Sequence, residues 1–172
     1  MSALDLVRAL YGYNEWANGH VLDAASALCD DELDRKLGAS FDSVRGNLSH
    51  VAGAQIIWLG RWTGTKSDAL PLLTGEASIE DVRKAFATSH RELRELVATL
   101  TDEALERMAR YRDTRGENQQ NVLWKLMLQV ANHGTHHRAE TALLLTALGH
   151  APRQLDYVFY EIERAGGAPR LS

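Results

Sequence analysis

The sequence is poor in residues that crosslink or interrupt a chain: of 172 residues, one is cysteine and three are proline. A lone Cys29 excludes an intramolecular disulfide and suits a reducing compartment, where it is expected to serve as a small buried hydrophobe. Pro71, Pro152 and Pro169 are scattered, and no Ser/Gly-rich or charged run divides the chain. Residues 1–172 are therefore expected to form one domain. Long apolar runs are also missing. None approaches the roughly 18 uncharged residues of a membrane span. Asp5 and Arg8 interrupt the only place for a signal-peptide core. A cytoplasmic protein with no membrane partner is expected. Blocks of one charge are absent too. The net charge of -4 arises from interspersed acids and bases, which argues against a nucleic-acid partner.

What the chain has in abundance is helical periodicity. Leu6, Leu10, Tyr13, Ala17, Val21 and Ala24 recur at spacings of three and four, predicting a helix from about Ala3 to Leu28 with Ser2 as its cap. A second is expected from Ser40-Phe-Asp-Ser43, whose Asp or Ser can cap it, to Trp62 before Thr63-Gly64. A third begins at the capping-box-like Ser78-Ile-Glu-Asp81 and ends near Leu100. A short helix from Thr101 to Ala109 and a polar turn at Tyr111–Asn118, with room for brief strand pairing, precede a fourth long helix from Asn121 to Leu148. Gly149 suits its left-handed end. Four amphipathic helices without a set of strands imply an all-α four-helix bundle, because each apolar stripe must be buried against another helix. The link holding Pro71 and Gly75 could be a crossover.

The fourth helix contains Ala131-Asn-His-Gly-Thr-His-His-Arg-Ala-Glu140. At 100° per residue, His133 and His137 fall in the sector of Val122, Leu126, Val130, Leu144 and Leu148, whereas His136 turns toward the rim. Two imidazoles one turn apart lie about 6 Å apart at Cβ and can meet one metal ion. Burying two such rings without a ligand needs a donor and an acceptor for each, and protonating both would set like charges together. For a third ligand the wheel leaves His20, His50, His90, His150 and the carboxylates open. His50 flanks an apolar arc of Val44, Leu48, Val51, Trp58 and Trp62; His90 and His150 read as exposed.

Several stretches resemble the DinB/YfiT-like metal-binding four-helix proteins across nearly the whole chain. They are Tyr13-Asn-Glu-Trp-Ala-Asn18, the segment from Ser40 to His50 continuing through Trp58-Leu-Gly-Arg-Trp62, and Tyr111-Arg-Asp-Thr-Arg-Gly116. The fourth is Val130-Ala-Asn-His-Gly-Thr-His-His-Arg138, followed by Leu148-Gly-His-Ala-Pro152 and Asp156-Tyr157. The resemblance implies a metal site formed by His50, His133 and His137. It departs from the family pattern at Gln55, where relatives often carry Glu, at Gln129, where many carry His, and at Ala139-Glu140 in place of Gly-Gln. Those changes bear on substrate identity and on the hydrogen bonds behind the ligands.

Three neutral histidines leave a divalent ion, zinc first and nickel second, at least one open position. The resemblance implies chemistry with a low-molecular-weight thiol, as in a thiol S-transferase or related isomerase with a small-molecule substrate. A metal-dependent hydrolase and a non-enzymatic, stress-associated metal-binding bundle are the alternatives. A zincin protease is excluded because Gly134 stands where its general base belongs, and no Glu-x-x-His pair supports a di-iron site. Trp16, Trp58, Trp62 and Trp124 read mainly as packing residues, with Trp16 a candidate pocket wall. Arg138 reads as structural or solvated. Apolar Trp124, Leu128 and Ala142 opposite the histidines, together with the resemblance, imply a homodimer.

Overall fold

The computed structural model describes residues 2–65, 69–75 and 77–167. In chain order it contains α1 (Ala3–Ala25), short α2 (Asp30–Leu33), α3 (Val44–Thr63), short α4 (Leu70–Leu73), α5 (Ile79–Thr99) and short α6 (Asp102–Glu106). Strands β1 (Met108–Arg112) and β2 (Asn118–Val122) follow, then α7 (Leu123–Ala147) and α8 (Tyr157–Arg164). The expected helical bundle with a small β segment is what forms.

Local chemistry sets the helix ends. Ser2 accepts from the Asp5 N–H at 3.2 Å while the Asp5 carboxylate accepts from the Ser2 N–H at 3.0 Å. Ser78 and Asp81 repeat that reciprocal box, and Ser43 caps α3 by accepting from the Gly46 N–H at 3.1 Å. Each such cap stabilises by about 1 kcal/mol. The first helix ends three residues before the expected Leu28, and Cys29 instead opens α2. In that position Cys29 is exposed, its N–H donating to Glu32, which corrects its assignment to the core. The antiparallel register from Met108↔Val122 to Arg112↔Asn118 takes up residues on both sides of the polar turn. That pairing stops α6 at Glu106 and delays α7 to Leu123.

Contacts between side chains fix the topology. Asn18 meets His90 and Glu15 pairs with Arg94, so α1 and α5 are antiparallel. Tyr11 donates to the Met127 carbonyl, and Arg138 reaches Asn14 and Asn18, so α1 and α7 are parallel. Tyr11 packs on Trp62 and Asn18 on Gln55, so α3 opposes α1. Around the bundle the order is α1, α7, α3, α5. Because α3 and α5 run the same way, their link must return along the bundle, as the expected crossover would. Residues 66–68 and 76 of that link lie outside the described residues, and its α4 packs on α3.

The core has two apolar halves. One gathers Val21, Leu33, Val44, Leu48, Phe86 and Leu145; the other gathers Val7, Tyr11, Trp62, Leu93, Leu123 and Met127. Each fully buried aliphatic or Phe side chain contributes about 1.5–3 kcal/mol. Between the halves lies a buried polar layer of Asn14, Asn18, Gln55, Ser89, His90 and Arg138. This layer levels the four helices at the height of the histidine site.

Candidate metal centre

Helices α3 and α7 face each other antiparallel, which brings His50 opposite the turn carrying His133 and His137. Their ring centroids are 4.9 Å apart for His50 and His133, 4.6 Å for His50 and His137, and 4.5 Å for His133 and His137. One nitrogen from each lies within 4.8 Å of the others. His137 is buried and the other two are half-buried. His136 has a side chain 64% exposed and lies outside this triad.

The donor set suits a cation. The Glu140 carboxylate accepts from His137 Nδ1 at 2.9 Å, which leaves the Nε2 lone pair of that ring free for a ligand role. Among the described residues no hydrogen bond joins the three rings to one another, so no ring's lone pair is occupied by a neighbouring ring's N–H. Burial, reinforced by His133 and His137 against a smaller pull from Glu140, pushes His50 down to about 4. Burial also lowers His133, with His137 and His136 adding to the effect. Both rings are therefore neutral near pH 7, the form that binds a metal.

Sequence reasoning missed the groups that frame these three histidines. Burial alone would raise the Glu140 carboxyl, but hydrogen bonds from Ser40 and His137 outweigh it and hold the group below its ordinary range. Ser40 Oγ donates to Glu140 Oε1 at 2.5 Å, and Phe41 stacks on His50 with centroids 3.8 Å apart. The i,i+3 spacing of His137 and Glu140 was a readable signal. Ser40 and Phe41 arrive from a loop whose fold is non-local: Gly46 allows the Phe41 carbonyl so close that a Cβ there would sit 2.2 Å from it. Trp16, a candidate pocket wall, instead donates to Glu163 of α8 at 2.7 Å.

Behind the triad, Arg138 is buried at 3% exposure and forms no ion pair among the described residues. Its guanidinium only donates, so its direction orders the polar layer. Nη1 donates to Asn14 Oδ1 at 2.5 Å and Asn18 Oδ1 at 3.0 Å, and Nη2 donates to Thr135 Oγ1 at 2.8 Å. The Asn14 and Asn18 amide nitrogens then donate to Gln55 Oε1, and Gln55 Nε2 donates to Ser89 Oγ at 3.1 Å. Asn18 Nδ2 also meets His90 Nε2 at 3.0 Å. The chain of donors makes that Nε2 an acceptor, so His90 is neutral with its proton on Nδ1. His90 is 8% exposed, which corrects its placement at the surface; its side chain turns from the charged residues of α5 toward α1. His150, also expected at the surface, is half-buried.

Burial pushes His90 down to about 4, with Glu15 opposing and Arg94 and Arg138 adding to the shift. A histidine lowered from the ordinary 6.5 is neutral when folded but takes up a proton when unfolded. Its stabilisation is complete above pH 6.5 and is lost as pH falls toward 4. For His90 the loss is on the order of 3 kcal/mol. The half-buried His50 adds a smaller, solvent-screened amount in metal-free protein. Urea unfolding of metal-free protein is expected to show a midpoint that falls steadily between pH 6.5 and 4.5. A flat midpoint across that range would contradict the neutral assignment.

No described helix is long and apolar enough to cross a membrane. Residues 1–168 match the family model described as the DinB family. Protein DinB of Bacillus subtilis (strain 168) is 27% identical over 163 residues, covering 91% of this chain and 94% of that protein. With a histidine cluster that fits a metal ion and a bundle of the expected form, the chain belongs to the DinB family.

Proposed function

We propose that this protein is a metal-dependent transferase, or related isomerase, that acts with a low-molecular-weight thiol. One observation carries the reading: among the described residues no fourth Cys, His, Asp or Glu joins His50, His133 and His137, so the group is not closed as a structural site would be. A divalent ion held there, zinc or nickel by the preferences of imidazole donors, would lower a thiol's pKa so that its sulfur attacks an electrophilic carbon at neutral pH. Glu140 holds the His137 proton at Nδ1 and fixes that ring. Phe41 covers one face of His50, excludes water there and offers an apolar surface to an electrophile.

The test is transfer to a fluorogenic electrophile by metal-loaded protein with mycothiol, bacillithiol or glutathione in turn. A metal-dependent rate with one thiol, lost in His133→Ala, is the expected result. Ester hydrolysis without any thiol-dependent rate would support the hydrolase alternative instead. A homodimer is part of the same proposal, supported by Leu128 at 41% and Leu143 at 71% exposure on α7. Light scattering is expected to give twice the chain mass, and Leu143→Asp to shift it toward the monomer.

A further inference from the structure

A cavity of about 300 Å³ lies in the groove between α1 and α5. None of the three site histidines lines it. Its inner end is formed by buried His90 and Asn14, its walls by Tyr11, Leu93 and Val97, and its mouth by Arg8 and Ala98. The volume sits at the lower end of small-ligand sites, and the lining matches their pattern of apolar walls with few polar groups.

The polar groups specify the ligand. His90 Nε2 is taken by Asn18, and the proton on Nδ1 has no partner among the described residues, leaving one donor at the inner end. Asn14 is more constrained, since its Oδ1 accepts from Arg138 and one of its two Nδ2 hydrogens goes to Gln55. At the mouth, Glu15 and Arg94 neutralise each other in an ion pair, whereas Arg8 forms none among the described residues. The cavity thus offers a cation at one end and a neutral N–H at the other. Residues 8 and 14 are six positions apart on one helix, a rise of about 9 Å between the backbone positions that bound the groove, which sets the scale of a ligand spanning it.

We propose that this groove binds small monocarboxylic acids with an apolar body and a hydrogen-bond acceptor at the far end, about 9 Å from the carboxylate. The carboxylate meets Arg8, the body lies against Tyr11, Leu93 and Val97, and the acceptor takes the His90 Nδ1 proton.

Calorimetric titration with 7-oxooctanoate tests this, with octanoate as the analogue lacking the acceptor. Saturable binding of 7-oxooctanoate is expected, with octanoate about tenfold weaker for the loss of one buried hydrogen bond. Arg8 and Ala98 are exposed, so their variants leave the core intact. Arg8→Gln is expected to weaken binding about fivefold and Ala98→Trp, which blocks the mouth, to abolish it. His133→Ala should bind as wild type does. The proposal is overturned if wild type shows no saturation at millimolar ligand, or if octanoate binds equally well. It is also overturned if the Arg8 and Ala98 variants match wild type, or if His133→Ala removes binding and so places the acid at the metal centre.

Discussion

Arg138→Ala is expected to lower the unfolding free energy by about 3–5 kcal/mol, a large share of the roughly 5–15 kcal/mol available to a domain. The guanidinium is the head of the donor chain. Without it, the Asn14 and Asn18 side-chain oxygens lose the one donor they have among the described residues, and a void opens against Thr135. Removing a buried charge offsets part of this cost, since no carboxylate pairs with it. The offset is smaller than the loss because three acceptors remain in place without the donor that faced them. Urea unfolding of wild type, Arg138→Lys and Arg138→Ala checks the order. Lysine keeps the charge but not the planar fork, so it should fall between the other two. An Arg138→Ala variant within 1 kcal/mol of wild type would show that the layer does not depend on its cation. Gly134 belongs to the same arrangement. A Cβ there would stand 2.7 Å from Asn14 Oδ1 and 2.8 Å from Arg138 Nη1, so its glycine serves packing as well as excluding a zincin base.

Glu140→Gln is expected to weaken divalent-metal binding about 10–100-fold while leaving the fold intact. The carboxylate accepts from both His137 and Ser40, and its negative charge raises the basicity of the imidazole it holds. Glutamine can keep the His137 bond through its oxygen but brings no charge, and its amide would reverse the Ser40 bond by donating to the hydroxyl. Chelator competition measures the change directly. An unchanged affinity would mean that His137 is held well enough by the Phe41 loop and by packing. Ser40→Ala should act in the same direction with a smaller effect, because it removes a support of the support.

The bundle was legible because its signals are local. Ser2 with Asp5 and Ser78 with Asp81 announce helix starts within four residues, and three-four spacing marks the long helices, although in α1 the buried stripe runs through Leu4, Val7, Tyr11, Asn14 and Asn18 rather than the expected Leu6, Leu10 and Tyr13, with Leu6 44% exposed. The separation of His137 from His136 was likewise a matter of angle along one helix. Non-local partners were not readable. The placement of His90 among charged neighbours suggested solvent, but Asn18 from another helix draws it inward. Ser40 and Phe41 meet the histidines only because Gly46 lets the loop fold back onto α3. The short helices α2, α4 and α8 were missed for a related reason: a turn or two carries too little periodicity to stand out. Tyr13 and Trp16 hold α8 through Leu155 and Glu163, contacts invisible until the chain folds.

A competing cluster gives the sharpest test. His136, His137 and Glu140 also bring ligand atoms within 4.8 Å of one another, so both groups share His137. In the second, Glu140 is already committed to Ser40 and His137, and His136 is the most exposed of the histidines at the site, which favours the first. Metal content per chain should be measured by mass spectrometry after loading and dialysis, in wild type and in the His50→Ala, His133→Ala, His136→Ala and His137→Ala variants. Coordination by His50, His133 and His137 predicts about one ion per chain in wild type and His136→Ala, and little in the other three. Loss of metal in His136→Ala with retention in His50→Ala and His133→Ala would contradict it.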